Sequence, residues 1–296
     1  MNNEGNRSSS IVHRSSFKFL LPRGRKLEIN HPPAVIGILN VTPDSFSDGG
    51  VHFDHMKAVH AALQMAEDGA AVVDVGGEST RPGAEPIAAQ VEIDRVVPVI
   101  VQIRQRSDVP VSIDTRKAAV AQEAIAAGAD MINDVSALRY SAGMPAIAAR
   151  AKVPVILMHM RGEPSTMQQF AQYDDVVAEV GSELRGFREG AIKAGVDPSM
   201  ILIDPGIGFA KDAEHNLELL ARAAELASIG PLVIGASRKS FVGKLTGREA
   251  GADRVAGSLA AVAAAHRAGA ALVRVHDVRQ TIDFLKVLIA IAERAR

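Results

Sequence analysis

Short runs of aliphatic and β-branched residues alternate with longer alanine-rich segments along most of the chain. The runs are four or five residues long, which is typical of buried strands. They lie at residues 35–39, 71–75, 110–113, 130–133, 153–157, 200–203, 231–235 and 271–275. Segments between them, such as residues 56–68 and 118–127, carry apolar residues at helical spacing. The pattern therefore predicts eight strand–helix units.

Eight such units in an unbroken series predict an α/β fold, a single (β/α)8 TIM barrel over residues 16–296. Several predicted helices stop at Gly-Ala just before the next strand, at Gly69, Gly128 and Gly269. A glycine there accepts the left-handed backbone that ends many helices. An open, doubly wound sheet is the alternative, but no Gly-x-Gly-x-x-Gly turn follows the first strand.

The segment that precedes the barrel divides into two parts. Residues 1–15 are polar, and we expect them to form a flexible tail. Residues 17–21 are mostly apolar and residues 26–29 alternate between charged and apolar. The two segments flank a glycine, which predicts a short N-terminal β-hairpin.

Composition excludes several classes of protein. The 296 residues include no cysteine, so disulfides, thiolate nucleophiles and cysteine-bound metals are excluded. A net charge of -1 gives no general attraction for nucleic acid. There is no run of about 18 apolar residues to span a membrane, and no apolar leader segment. We therefore expect a cytoplasmic protein without a nucleic-acid or membrane partner.

Polar residues follow nearly every predicted strand. The carboxyl ends of the strands surround the active site in a TIM barrel. At any one position, a residue that caps the next helix is an equally good explanation. The whole set is harder to explain in this way, because amide, carboxylate and basic side chains dominate it. Its members are Asn40, Asp74, Asp114, Asn133, Asp134, His159, Asp204, Ser237, Lys239, Arg274 and His276.

Two kinds of chemistry can be separated within this ring. Asp114, Asn133 and Asp204 combine carboxylates with an amide, a combination that suits an aminopyrimidinone ring such as a pterin. Arg274 and His276 are two apart on one strand, so they share a face that suits an anion. A simple turn residue is the alternative for Asp204, and a packed strand-end histidine is the alternative for His276.

Five segments resemble the signatures of the dihydropteroate synthase family: Leu39–Gly50, Glu78–Gly83, Ser112–Thr115, Asp204–Phe209 and Ser237–Phe241. The likeness extends from about Val35 to His276. It implies a Mg2+-dependent transferase of folate biosynthesis. Such an enzyme joins 6-hydroxymethyl-7,8-dihydropterin diphosphate to p-aminobenzoate and releases diphosphate. The implied route is SN1-like, with the C–O bond breaking before nitrogen attacks.

The resemblance also implies roles for individual residues. The expected pterin contacts are Asp114, Asn133, Asp204 and Lys239. The expected diphosphate contacts are Thr80, Arg81, Arg274 and His276, with Asn40 as a Mg2+ ligand. Catalytic roles are expected for Asp48, Arg81 and Lys239.

The p-aminobenzoate pocket is expected to include Phe46, Pro82, Phe209 and Ser240. Phe46 and Pro82 would sandwich the benzene ring, and Ser240 would hold the carboxylate. Sulfonamide inhibitors, which mimic p-aminobenzoate, should enter the same pocket.

The chain departs from the family pattern at Ala210, where the family commonly has a glycine before the lysine that is Lys211 here. An alanine is tolerated unless the backbone needs a positive φ. The family is usually dimeric, so we expect a homodimer, with residues 257–268 and 284–292 as candidate surfaces.

Three other interpretations explain part of this pattern. A pterin-dependent methyltransferase would share the pterin residues but has no reason to keep the basic pair Arg274 and His276. An inactive pterin-binding paralogue would be expected to lose Asn40, Arg81 or Phe46, and all are present. A barrel enzyme acting on sugar phosphates would show a clearer acid–base pair. The synthase is therefore favoured.

Overall fold

The structure is a computed structural model that describes residues 16–42, 51–80 and 83–294, with the backbone alone for residues 51–54. Four expected site residues lie outside the described residues: Phe46, Asp48, Arg81 and Pro82. The expected N-terminal tail, residues 1–15, also lies outside them.

Eight parallel strands form one sheet in the order β8-β7-β6-β5-β4-β3-β10-β9. The strands are β3 Ala34–Asn40, β4 Val72–Gly76, β5 Val111–Asp114, β6 Met131–Asp134, β7 Val155–Met158, β8 Ile201–Asp204, β9 Val233–Ile234 and β10 Leu272–Val275. A parallel bridge between Ile203 and Leu232 joins the two ends of this order. The predicted TIM barrel is therefore confirmed, and the open sheet is not the fold.

The helices surround the barrel, one or more after each strand. They are α1 Val51–Glu67, α2 Ala89–Arg104, α3 Ala118–Ala127, α4 Met144–Ala151, α5 Val176–Lys193, α6 Ala213–Ala221, α7 Ser240–Thr246, α8 Val255–Arg267 and α9 Val278–Arg294. Gly69, Gly128 and Gly269 have φ values of 103°, 124° and 73°, as the predicted helix ends require. No helix in the described residues is long and apolar enough to cross a membrane.

The predicted hairpin is also present and covers the amino-terminal end of the barrel. Its strands, β1 Phe17–Leu20 and β2 Lys26–Ile29, pair antiparallel. Phe19 and Leu27 are buried in a cluster with side chains from the barrel interior. The hairpin thus excludes water from the floor of the barrel.

Side chains inside the barrel change from apolar to polar along each strand. The floor consists of Ile36, Val72, Met131, Ile156, Leu202, Val233 and Leu272, which form one cluster with the hairpin. Successive side chains of a strand alternate between its faces, so residues two positions further on point the same way. Those residues are Ile38, Asp74, Asn133, Met158, Asp204, Gly235 and Arg274. An apolar floor therefore lies directly beneath a polar mouth.

A buried carboxylate attaches the hairpin to the barrel. Asp130 is fully buried, and its Oδ1 accepts hydrogen bonds from Arg25 and, at 3.3 Å, from Arg23. Its Oδ2 accepts from the backbone N–H of Val111 at 3.0 Å. Arg104 Nη2 lies 3.9 Å from the same oxygen. One anion thus compensates several cations from the hairpin and α2.

We expect Asp130→Ala to lower the free energy of unfolding by about 3 kcal/mol or more, because it leaves these cations partly buried without their counter-ion. Urea denaturation would measure the change. Asp68→Ala is the matched control, because Asp68 pairs with an exposed arginine, Arg279, and should matter far less. Equal stability of the Asp130→Ala and Asp68→Ala proteins would contradict this account.

Candidate active site

The mouth of the barrel holds a pocket that gathers seven of the predicted site residues. They are Thr80, Asp114, Asn133, Asp204, Phe209, Lys239 and Arg274. The remaining wall is mostly apolar or glycine, including Val135, Met158 and Ile207. The pocket therefore combines a small number of charged and amide groups with an apolar lining, as small-molecule sites do.

Asp114 and Asp204 end β5 and β8, and Asn133 is the last but one residue of β6, so three separate strands present acceptor groups to one space. Asp204 Oδ1 accepts a hydrogen bond from the backbone N–H of Gly206 at 2.7 Å, which fixes the carboxyl group. Burial raises the pKa of Asp114 to about 7, although the nearby Arg274 opposes the shift. Burial raises the pKa of Asp204 as well. A ligand that donates hydrogen bonds to these carboxylates would stabilise their charged forms.

Arg274 bridges two carboxylates within the barrel. Its Nε donates to Asp74 Oδ2 at 2.5 Å, and its Nη2 donates to Asp114 Oδ2 at 2.6 Å. From the sequence, Arg274 was expected to belong to the anionic part of the site. In the structure it is also the counter-ion of Asp114, so the two parts of the site meet at this guanidinium group.

His276 lies beyond Arg274 and is held by Ser237. The Ser237 hydroxyl accepts from the backbone N–H of His276 at 3.1 Å and lies 3.1 Å from its Nδ1. The hydroxyl can therefore donate its proton to Nδ1, which leaves the hydrogen of the ring on Nε2. Burial and the neighbouring Arg274 lower the pKa of His276 to about 3. His276 is thus a neutral donor, not a second cation.

Lys239 and Phe209 form one side of the pocket. The ammonium group of Lys239 lies 4.1 Å from the centre of the Phe209 ring, a cation–π contact. Burial and the adjacent Arg274 lower the pKa of Lys239 to about 8. Ser240 follows as the first residue of α7 and is exposed.

Asn40 is the last residue of β3 and is half-buried beside Gly76 of β4. Within the described parts of the chain, no cluster of three or more His, Cys, Asp or Glu side chains could hold a metal. The amide oxygen of Asn40 is a suitable ligand for Mg2+, which commonly takes one or two protein ligands and completes its shell with phosphate and water. The residues present therefore fit a cation that arrives with a phosphorylated substrate.

Ala210 lies in the loop after β8, where the family commonly has a glycine. Its φ is 50°, so the backbone does need the left-handed region, which costs an alanine roughly 1 kcal/mol. The loop is held from behind: Tyr173 donates to the carbonyl of Ala210 at 3.0 Å, and Lys211 donates to the carbonyl of Phe209 at 2.9 Å. These bonds keep Phe209 in place despite the strain.

Two supporting networks were missed by the sequence analysis. In one, the fully buried His159 lies 3.0 Å from Lys211 and 3.1 Å from Glu183 on α5. In the other, Lys117 donates at 2.6 Å to both Glu78 and Glu92. No local pattern reveals them, because the partners of each hydrogen bond are 24 or more residues apart along the chain.

Known proteins resemble this chain over most of its length. The family model of pterin binding enzymes matches residues 36–276. The chain is 46% identical over 258 residues to a dihydropteroate synthase of Synechocystis sp., covering 87% of this chain and 89% of that protein.

Solved structures are similar over almost the whole fold. The dihydropteroate synthase of Xanthomonas albilineans with 4-aminobenzoic acid is 47% identical, with a TM-score of 0.88 over 94% of this chain and 99% of that one. The Yersinia pestis enzyme in a sulfonamide drug complex is 43% identical, with a TM-score of 0.87 over 94% and 100%. The chain therefore belongs to the dihydropteroate synthase family of pterin-binding enzymes.

Proposed function

We propose that this enzyme joins the exocyclic methylene of 6-hydroxymethyl-7,8-dihydropterin diphosphate to the amine of p-aminobenzoate, forming 7,8-dihydropteroate and diphosphate. One observation carries the proposal: Asp114, Asn133 and Asp204 converge on a pocket that Lys239 and Arg274 also line. A relative whose structure contains 4-aminobenzoic acid, at 47% identity, supports the second substrate.

The acceptor groups account for recognition of the pterin. Asp114 and Asp204 can accept hydrogen bonds from an amino group and a ring N–H, and the amide of Asn133 can accept or donate. Their negative charge also favours the cation that develops at the methylene carbon as the C–O bond breaks. The bonding electrons leave with the diphosphate oxygen, and the amine nitrogen then forms the new C–N bond and loses a proton.

The basic groups account for departure of the diphosphate. Arg274 keeps Nη1 clear of both of its carboxylate partners, and neutral His276 can donate from Nε2. Such preorganised donors stabilise the charge of the leaving group in the transition state. Thr80, which lines the pocket, and Arg81, outside the described residues, belong to the same proposed subsite.

Asn40 is the proposed protein ligand of Mg2+. When bound, the ion would neutralise charge on the diphosphate as a Lewis acid. The role of Asn40 is to place one amide oxygen at the end of β3, beside the first loop that contains Asp48.

The p-aminobenzoate subsite is proposed to lie between Phe209, Ser240 and the two loops that carry Phe46 and Pro82. The exposed hydroxyl of Ser240 at the start of α7 is available for the substrate carboxylate. Sulfonamides are proposed to compete there, and a sulfonamide complex of a 43% identical relative supports this.

Purified protein supplied with pterin diphosphate, p-aminobenzoate and Mg2+ should form dihydropteroate and diphosphate, which chromatography can separate. Binding of the pterin without product would indicate a pterin-binding paralogue that is not an enzyme. Methyl transfer from a pterin donor would indicate the methyltransferase.

Arg274→Ala should lower turnover about 10²-fold or more, because the leaving group loses a preorganised contact. Arg274→Lys should recover only part of the loss, since a point charge cannot bridge Asp74 and Asp114 while reaching a ligand. Steady-state kinetics would measure both. Arg106→Ala removes an exposed arginine and is the control. Full activity of the Arg274→Ala protein would overturn the assignment.

Pterin affinity should be greatest between about pH 7 and pH 8, the pKa values of Asp114 and Lys239. Donors on the ligand bind ionised Asp114 best, so affinity falls as the carboxyl is protonated below pH 7. Above pH 8, Lys239 loses its charge. Calorimetry across pH would measure both the fall in affinity below pH 7, the acid limb, and the fall above pH 8. Asp114→Asn should remove the acid limb alone, and persistence of that limb would contradict the assignment.

We also infer that the enzyme forms a homodimer through α9. Val287 and Ile291 are 61% and 63% exposed on one face of this helix, an unusual exposure for large apolar residues. Ile291→Glu should shift the protein to monomers in sedimentation experiments. Leu20→Glu, at an equally exposed position on the hairpin, should not. A monomeric wild-type protein would exclude the dimer.

A further inference from the structure

Asp74 is a buried carboxylate inside the barrel that the reaction described above does not use. It lies in the middle of β4, is only 1% exposed, and faces the barrel interior one layer below Gly76. It is absent from the pocket wall. Burying a carboxylate is costly unless hydrogen bonds and opposite charge compensate it. The contacts of Asp74 therefore show what offsets the cost of its burial.

Both hydrogen bonds of Asp74 come from residues that line the pocket. Its Oδ2 accepts from Asn133 Nδ2 at 3.0 Å and from Arg274 Nε at 2.5 Å. The other oxygen, Oδ1, is buried without a partner among the described residues. One oxygen of Asp74 therefore holds two side chains of the pocket at once.

The first consequence concerns the amide of Asn133. An ionised carboxylate only accepts hydrogen bonds, so the amide must turn its nitrogen toward Asp74. Its oxygen is then left for a donor on the ligand. Without Asp74, either end of the amide could face the pocket, and recognition of a ring N–H would be lost in one of the two orientations.

The second consequence concerns Arg274. A guanidinium group is planar and carries its donors in a rigid fork. Asp74 holds the Nε edge and Asp114 holds Nη2, so the plane of the group is set by two carboxylates from neighbouring strands. The direction of the remaining donors follows from these two contacts.

We propose that Asp74 is a positioning residue of the pterin subsite. It acts through two neighbours: it turns the amide oxygen of Asn133 toward an aminopyrimidinone ring, and it fixes the plane of the Arg274 guanidinium group, where the pterin and diphosphate parts of the site meet. This inference rests on the proposed function, because it assumes that the pocket binds a pterin.

A purely structural role for Asp74 would lower stability but leave the pterin affinity of the folded protein unchanged. The charge of Asp74 also acts on Asp114, so the pH dependence of binding gives a second measurement. The charged groups acting on it are Arg274 of β10, Asp74 of β4, Glu92 of α2, Asp134 of β6 and Lys239 before α7. Removing the charge of Asp74 removes a repulsion and leaves Arg274 to Asp114 alone, so the pKa of Asp114 should fall.

The test compares two substitutions at one position. Asp74→Ala removes the acceptor and should raise the dissociation constant of diphosphate-free 6-hydroxymethylpterin about tenfold or more, as expected for a lost charged hydrogen bond. Asp74→Asn keeps an oxygen for both donors but removes the charge. It should change affinity only a few-fold while moving the acid limb of binding to lower pH.

Ser112→Ala is the matched control, because Ser112 pairs with Asp74 in register and is also fully buried, without a hydrogen bond from its hydroxyl to the described residues. It should leave affinity and the pH profile unchanged. Calorimetry from pH 5 to pH 9 gives both quantities, and thermal melts identify variants that fail to fold.

The outcomes separate the two proposals. A wild-type protein that does not bind 6-hydroxymethylpterin overturns the proposed function, and this inference with it. Wild-type binding together with unchanged affinity in folded Asp74→Ala protein overturns the inference alone. If Asp74→Ala does not fold, an unshifted acid limb in Asp74→Asn protein overturns it equally.

Discussion

The bridge from Arg274 to Asp74 and Asp114 is the interaction on which the rest of the site depends. Burying two carboxylates inside a barrel is costly, and the guanidinium group of Arg274 compensates both with hydrogen bonds and opposite charge. The bridge spans 200 residues of sequence to Asp74 and 160 to Asp114. It forms because β10, the last strand of the barrel, pairs with β3, the first, which places Arg274 two strands from β4 and three strands from β5. Closure of the barrel is therefore also what assembles the charge balance of the mouth.

The change from an apolar floor to a polar mouth makes this arrangement possible. Beneath the mouth, Ile36, Met131 and Leu202 pack with the hairpin and exclude water. The low dielectric raises the pKa of Asp114 to about 7 and lowers that of Lys239 to about 8. Both groups therefore titrate near neutral pH, where a ligand can change their charge at little cost.

Support from outside the barrel gives the loops their positions. Lys117 connects Glu78, at the start of the second loop, to Glu92 on α2. Lys211 holds the carbonyl of Phe209 next to the strained Ala210. Contacts with the rest of the fold thus hold a strained backbone beside the pocket, as is common at functional sites.

Much of the fold could be predicted from the sequence, because local periodicity and turn chemistry are properties of neighbouring residues. The eight strands, the hairpin and the glycine helix ends all follow from such patterns, and the polar strand ends identified Asp114, Asn133 and Asp204. The family signatures then supplied the chemistry. The shared role of Arg274, the neutrality of His276, the positive φ of Ala210 and the contacts of Asp74 were decided only by tertiary structure. Each of these four features depends on burial or on partners brought together across the barrel. Local spacing along the sequence encodes neither burial nor such partners.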